Sequence, residues 1–287
     1  MKLWRLLFPS FLLAFFFLLL CFPGFTGQAT LDSLLFVAKT VFPSLFMFLC
    51  LSSILISSPV AGLLYRFPFG VELTVWIFGV LCGFPIGARC AKQLYESGSI
   101  SKIRAEVLCG FSGLASAPFL VGVVGNTLLR DAAFGAALTA LQAASSLLCA
   151  LVLFWIYRPR CQGVCFPKTC TRASLATQIG TSAQTMLEVG GMLIFFGVAA
   201  ESAKHFAGDG VFSLVLRGLL EFSSGCRDAA LLGEAGKWPI LLFVGFGGLC
   251  VLGQISAVTR GKLSLKPYLL GKLLQTAFMA CLFLLFS

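Results

Sequence analysis

Residues 84–94 read FPIGARCAKQL and residues 222–232 read FSSGCRDAALL, sharing the pattern F-x-x-G-x-R-x-A-x-x-L. A second pair follows at similar distances, GFSGL at 110–114 and GFGGL at 245–249. The repeated order and the shared Arg mark a duplicated unit. Each copy lies in an apolar run broken near its middle, by Gly83-Phe84-Pro85 in one and Ser223-Ser224-Gly225 in the other. Proline lacks an amide hydrogen and glycine reaches dihedrals closed to other residues, so helices turn or stop at such places.

Composition decides what a turn here means. Of 287 residues, 59% are hydrophobic and only 11% charged, with a mean hydropathy of +0.98. A soluble domain carries roughly a quarter charged residues, so most of this surface must face lipid. The net charge of +10 does not point to nucleic acid, because the Lys and Arg lie in short clusters between apolar runs, as membrane orientation requires.

Nine runs are long enough to matter for a span of about 20 residues: roughly 3–22, 34–56, 71–96, 104–128, 131–157, 184–203, 211–235, 238–258 and 267–287. The first reads as a retained anchor rather than a cleaved signal peptide, because its apolar core is long. Residues 23–33 are expected as a loop outside.

Three basic clusters contain no acid: Lys2 and Arg5; Arg158, Arg160, Lys168 and Arg172; Arg260, Lys262 and Lys266. The positive-inside rule wants all three in the cytoplasm. If every run crosses, odd numbers of crossings separate them and the rule fails twice. If 71–96 and 211–235 enter and leave by the same side, the counts become even and all three clusters fall inside. The nearly neutral links around Arg130–Asp131, Lys204–Asp209 and Glu234–Lys237 then fall outside.

The expected fold is therefore all-α and integral to the membrane, with about seven transmembrane helices plus two re-entrant hairpins. Its parts are an anchor and outside loop (1–33), a first unit (34–157), a basic cytoplasmic loop (158–183) and a second unit (184–287). Each unit makes three crossings, so the second is inverted relative to the first. The N-terminus is expected in the cytoplasm and the C-terminus outside. The bland alternative at each break is a kinked helix.

Irregular backbone at membrane depth survives only where protein or a polar cavity covers it. The free N–H and C=O groups of broken helices can hold a solute or ion at the repeat interface. The expected site thus gathers Gly83, Phe84, Pro85 and Gly87 from one break and Ser223, Ser224 and Gly225 from the other. Arg89 and Arg227, at equivalent places, attract an anion or snorkel to the headgroups. Glu221 is a carboxylate that binds a cation, relays a proton or pairs with Arg217 or Arg227. Ser112, Ser116, Gly247 and Gly248 lie in stretches expected to be unwound. Gln254, the large polar side chain of its span, serves a ligand or a helix-helix hydrogen bond.

Most of the twelve cysteines sit in apolar runs and act as small hydrophobes. Cys161, Cys165 and Cys170 cluster, but without a close CxxC pair or a nearby histidine they make no zinc site. Enzyme signatures are missing. No cofactor is expected beyond Na+ or H+ as a coupling ion. The partners are a small-molecule solute and the bilayer, with a homo-oligomer left open.

VFPSLFMF (41–48), CGFPIGARCAKQLYESGSIS (82–101), SAPFLVGVVG (116–125), GLLEFSSGC (218–226) and GFGGLCVLGQ (245–254) with KPYLLGKLLQ (266–275) resemble the sporulation integral membrane protein YlbJ family. That family falls in the nucleoside-recognition, or Gate, group, which is similar to the concentrative nucleoside transporters. The resemblance implies a bacterial membrane location and transport, with solute held at two hairpin tips. A link to endospore formation follows, with a dipicolinate-like dicarboxylate as cargo; a nucleoside carrier and a non-transporting scaffold are the alternatives. One departure is that the first broken span carries Gly113, Leu114 and Ala115 where such proteins often place Asn or an extra Ser.

Overall fold

The computed structural model describes residues 2–56, 58–160 and 175–286. Cys161, Cys165, Cys170, Lys168 and Arg172 lie outside the described residues, as do the side chains of Lys2 and Arg5. All regular structure among the described residues is helical. In chain order it comprises α1 (Lys2–Cys21), α2 (Pro23–Phe36), α3 (Phe42–Ile56), α4 (Pro59–Leu64), α5 (Gly70–Cys82), α6 (Phe84–Glu96) and α7 (Lys102–Ser112). Then follow α8 (Ala132–Tyr157), α9 (Leu175–Ala207), α10 (Val211–Leu220), α11 (Phe222–Ala230), α12 (Lys237–Phe246), α13 (Gly248–Thr259) and α14 (Lys266–Phe286).

Among the described residues four stretches are long and apolar enough to cross a bilayer: Ala132–Tyr157, Leu175–Ala207, Gly233–Thr259 and Lys266–Leu285. A fifth is added if Leu12–Cys21 and Pro23–Val41, bent by 106°, count as one. Large apolar side chains stand outward on these helices; Trp155 is 72% exposed and Leu187 76%. Water would not tolerate such a surface on a monomer. The chain is an integral membrane protein.

Residues 23–33 are not the loop expected of them. Pro23 opens α2 at a position where its missing amide is harmless. α2 then runs through a π turn, Val37–Val41, into α3. Its inner face is held by α9, where a Cβ on Gly197 would stand 2.7 Å from the Ser33 hydroxyl. The polar composition of GFTGQAT hid a helix that tertiary packing stabilises.

The segments around the two F-x-x-G-x-R motifs build alike. In each, two short helices fold back on one another and grip a residue of the next helix. Gly79 of α5 and Gly87 of α6 close on Ser112 of α7; Gly218 of α10 and Gly225 of α11 close on Phe243 of α12. A Cβ at any of the four would come within 3.0 Å of that residue, so glycine here serves close packing. The contacts also cross between units. α6 packs on α13, and α11 packs on the segment Phe119–Leu129. That segment is wound as a π-helix, a rare form that gathers at functional sites.

α14 and α8 lie together as a backing layer. α14 also packs on α7, where Gly271 meets the Gly110 carbonyl. One buried ion pair neutralises itself here. Arg104 of α7 donates from Nε and Nη2 to both oxygens of Glu72 on α5, at 2.7 and 2.9 Å, and both residues are buried. A bidentate pair of this kind is the geometry that compensates desolvation best.

Candidate functional site

The site is built from two helix junctions. α5 and α6 meet at Gly83, whose φ of +102° is closed to residues with a Cβ. Phe84 and Pro85 then open α6. α10 and α11 meet at Glu221, which is extended. Its carboxylate accepts from the Ser223 amide at 3.0 Å, the Ser224 amide at 2.7 Å and the Ser223 hydroxyl at 2.7 Å. It thereby caps α11, satisfying amides that a helix start leaves free.

Two sequence expectations are corrected here. The second break falls at Glu221 rather than at Ser223-Ser224-Gly225, because the carboxylate restarts the helix at once. Those three residues form the first turn of α11, and Gly225 packs instead of turning. Nor does Glu221 hold an arginine. Arg217, 1% exposed, donates to Glu201 of α9 at 2.7 Å and to Asp228 of α11, tying α10 to both neighbours.

The junctions meet. The rings of Phe84 and Phe222, which occupy the same place in the two motifs, stand edge to face with centroids 5.2 Å apart. Phe119, at the head of the π-helix, completes the group at 5.3 Å from Phe222. Beside them lies a cavity of about 160 Å³, walled by Gly83, Phe84, Pro85, Ser116, Ser223 and Gln254 together with Phe222 and Phe119. α9 contributes Val189 and Leu193, and the α2–α3 rod contributes Phe36, Thr40 and Leu45. No charged side chain lines this cavity among the described residues. Its polar groups are hydroxyls, the Gln254 amide and helix-end backbone. Gln254 also donates to Cys250 Sγ at 3.3 Å.

The other expected residues fall elsewhere. Arg89 lines an open recess of about 450 Å³ with Lys92, Glu96, Thr181, Glu188 and Arg260. It donates to Thr181 at 3.2 Å, while Glu188 accepts from Arg260 at 2.9 Å. Glu221, Ser224 and Arg227 line another recess, of about 650 Å³, with Asp32, Glu201, Lys204 and Asp228. Ser112 and Gly87 are packed against each other. Gly247 and Gly248, both at positive φ, break α12 from α13. Gly247 faces the Phe84 ring and Gly248 the end of α10.

α9 orders the three spaces. One recess touches it between Gln178 and Glu188, the cavity at Val189 and Leu193, and the other recess from Leu193 to Lys204. At 1.5 Å per residue the path from Thr181 to Lys204 is about 35 Å, the scale of a bilayer. The aromatic contact was missed in the sequence, since nothing local says that residues so far apart touch. Phe36 and Thr40 fall in the run 34–56, expected as a span, but nothing local in the sequence says that this run faces the cavity. Among the described residues no group of three His, Cys, Asp or Glu side chains is placed to hold a metal.

No protein-family model matches the chain, and no solved structure matches it. Among curated proteins it is similar to sporulation integral membrane protein YlbJ of Bacillus subtilis (strain 168). The two are 25% identical over 337 aligned positions, covering 97% of this chain and 82% of the relative. Such coverage takes in both junctions, both broken helices and the α14 layer, and it supports assigning the chain to the YlbJ family.

Proposed function

We propose that the chain is a carrier that moves a small anionic organic solute across a bacterial membrane by alternating access. In this reading α5–α6 and α10–α11 are re-entrant hairpins entering from opposite faces, within about seven crossings arranged as an inverted repeat. The observation that carries it is the row of three spaces along α9. A small cavity lies at the point where both breaks meet, with a larger recess toward each end of the helix. Opening one hairpin at a time would join the cavity to one recess and then to the other. Paired broken helices at a repeat interface are how many secondary carriers bind solute.

Two features support a small anion. The cavity of about 160 Å³ has room for a single six-membered ring, since a cavity on the order of 150 Å³ holds benzene. A dipicolinate-like dicarboxylate suits that room better than a nucleoside does. The recess at Arg89 carries Arg89, Lys92, Arg260 and Lys262 against Glu96 and Glu188, so its field draws anions. It faces the cytoplasm in the topology that puts the basic clusters inside, with the N-terminus in the cytoplasm and the C-terminus outside. The YlbJ relative, by its name a sporulation protein, motivates a role in spore formation. No enzymatic step, metal or cofactor enters this reading; Na+ or H+ would couple transport.

The test is flux through purified protein in liposomes, with pyridine-2,6-dicarboxylate, succinate and uridine as probes. Saturable uptake of an anion is expected, with Glu221→Gln and Arg227→Ala lowering it. Uptake of uridine alone would make the chain a nucleoside carrier. No flux of any probe would favour a non-transporting scaffold.

A further inference from the structure

Lys272 carries a buried amine that none of the foregoing uses. It projects from α14 and is 1% exposed. Its Nζ donates to Gln275 Oε1 at 2.9 Å and reaches the Gly245 carbonyl at 3.4 Å. A third side is covered by the Phe84 ring, whose centroid lies 4.9 Å away. Among the described residues no carboxylate comes within 4.0 Å of it. In the same buried patch, Tyr268 Oη and Gln275 Nε2 have no hydrogen-bond partner.

Two neutral acceptors and an aromatic face can hold an ammonium but supply no opposite charge to compensate it. A methionine of similar length would fill the place without that penalty. An ionisable side chain placed inside a membrane without a partner is a functional residue by default. Its position says which function. α14 touches both broken spans here, Tyr268 against Gly113 and Thr276 against Gly245. The Gly245 carbonyl belongs to the C-terminal end of a half-helix, where carriers bind coupling cations. Phe84 covers the ammonium and also walls the central cavity, which has no cation in its own lining.

We propose that Lys272 is the built-in counter-charge of the central cavity, engaging the carboxylate of a bound solute when the Phe84 side chain turns aside. This rests on the carrier reading and adds the group that makes the cavity selective for anions. Tyr268 and Gln275 stand beside it with unspent donors for the same carboxylate.

The experiment compares wild type, Lys272→Met, Lys272→Arg and Lys272→Gln as full-length protein, by thermal unfolding in detergent and by liposome uptake of pyridine-2,6-dicarboxylate, succinate and uridine. Lys272→Met is expected to melt at or above the wild-type temperature, since a buried unpaired charge has been removed. Its KM for the transported anion should rise at least tenfold, with Lys272→Arg recovering part of the loss and Lys272→Gln not. A Lys272→Met protein that melts well below wild type assigns Lys272 a structural role and overturns the proposal. So does unchanged KM in Lys272→Met or, should that variant not be recovered, in Lys272→Gln. Wild-type protein that transports neither anion brings down the carrier reading and this proposal together, whereas wild-type anion flux with unaltered variants brings down this proposal alone.

Discussion

Phe84 and Phe222 begin α6 and α11 at matching motif positions, and their rings touch edge to face, 5.2 Å between centroids. The two helix junctions touch through this ring pair. Phe222→Ala should cost about 3–5 kcal/mol of stability, as ring deletions in packed interiors do. Thermal unfolding in detergent measures it. In liposomes the same variant should also lower solute uptake, since the ring walls the cavity.

The Glu72–Arg104 pair links α5 to α7 beneath the first junction. Breaking it from one side, with Glu72→Gln or Arg104→Met, leaves an uncompensated buried partner and should cost roughly 3–5 kcal/mol. Joint replacement by Leu and Met should restore most of the loss. A double variant no better than the singles would show that the pair does more than neutralise itself.

Gly225→Ala places a methyl 2.4 Å from the Gly218 Cα. Both sides are backbone, so α10 and α11 must separate. Overpacking of this order costs typically 1–3 kcal/mol. Gly180→Ala in α9 meets nothing within 4 Å and should be neutral or slightly stabilising, because alanine is the better helix former. The difference in melting temperature between the two variants is the measurement.

Asp131 caps α8 through the Phe134 amide at 2.9 Å and pairs with Lys237 at 3.0 Å. The amide first, and then the ammonium, hold its carboxyl below the ordinary value. A group whose folded value is depressed lends stability that is fully present above the ordinary carboxylate value of about 3.9. That stability is lost as pH falls through the lower, folded value. Asp131→Asn keeps a capping oxygen but cannot titrate. Its melting temperature should therefore fall less steeply than wild type on acidification below about pH 4.

The first junction was legible because Gly83 and Pro85 state their conformational demands within three residues. The second was displaced by two residues, since the sequence shows Ser and Gly as breakers but not that a Glu carboxylate can restart a helix. The motif glycines were legible as special positions, although Gly87 and Gly225 were read as ligand contacts when they are packing contacts. α2 was illegible for a different reason: its helicity depends on α9, which lies far along the chain. The same holds for Lys272, whose significance lies in what does not surround it. An amphipathic period or a turn residue is a local signal; the lack of a buried counter-ion becomes visible only when α14, α12 and Phe84 are brought together.

The coil from Phe119 to Leu129 holds more residues per turn than an α-helix needs. Rewinding it to the tighter form lengthens it while its amides exchange one internal carbonyl for another. The span that presses Phe119 against Phe222 therefore carries slack in its own backbone, enough to follow a departing neighbour without tearing at Gly113.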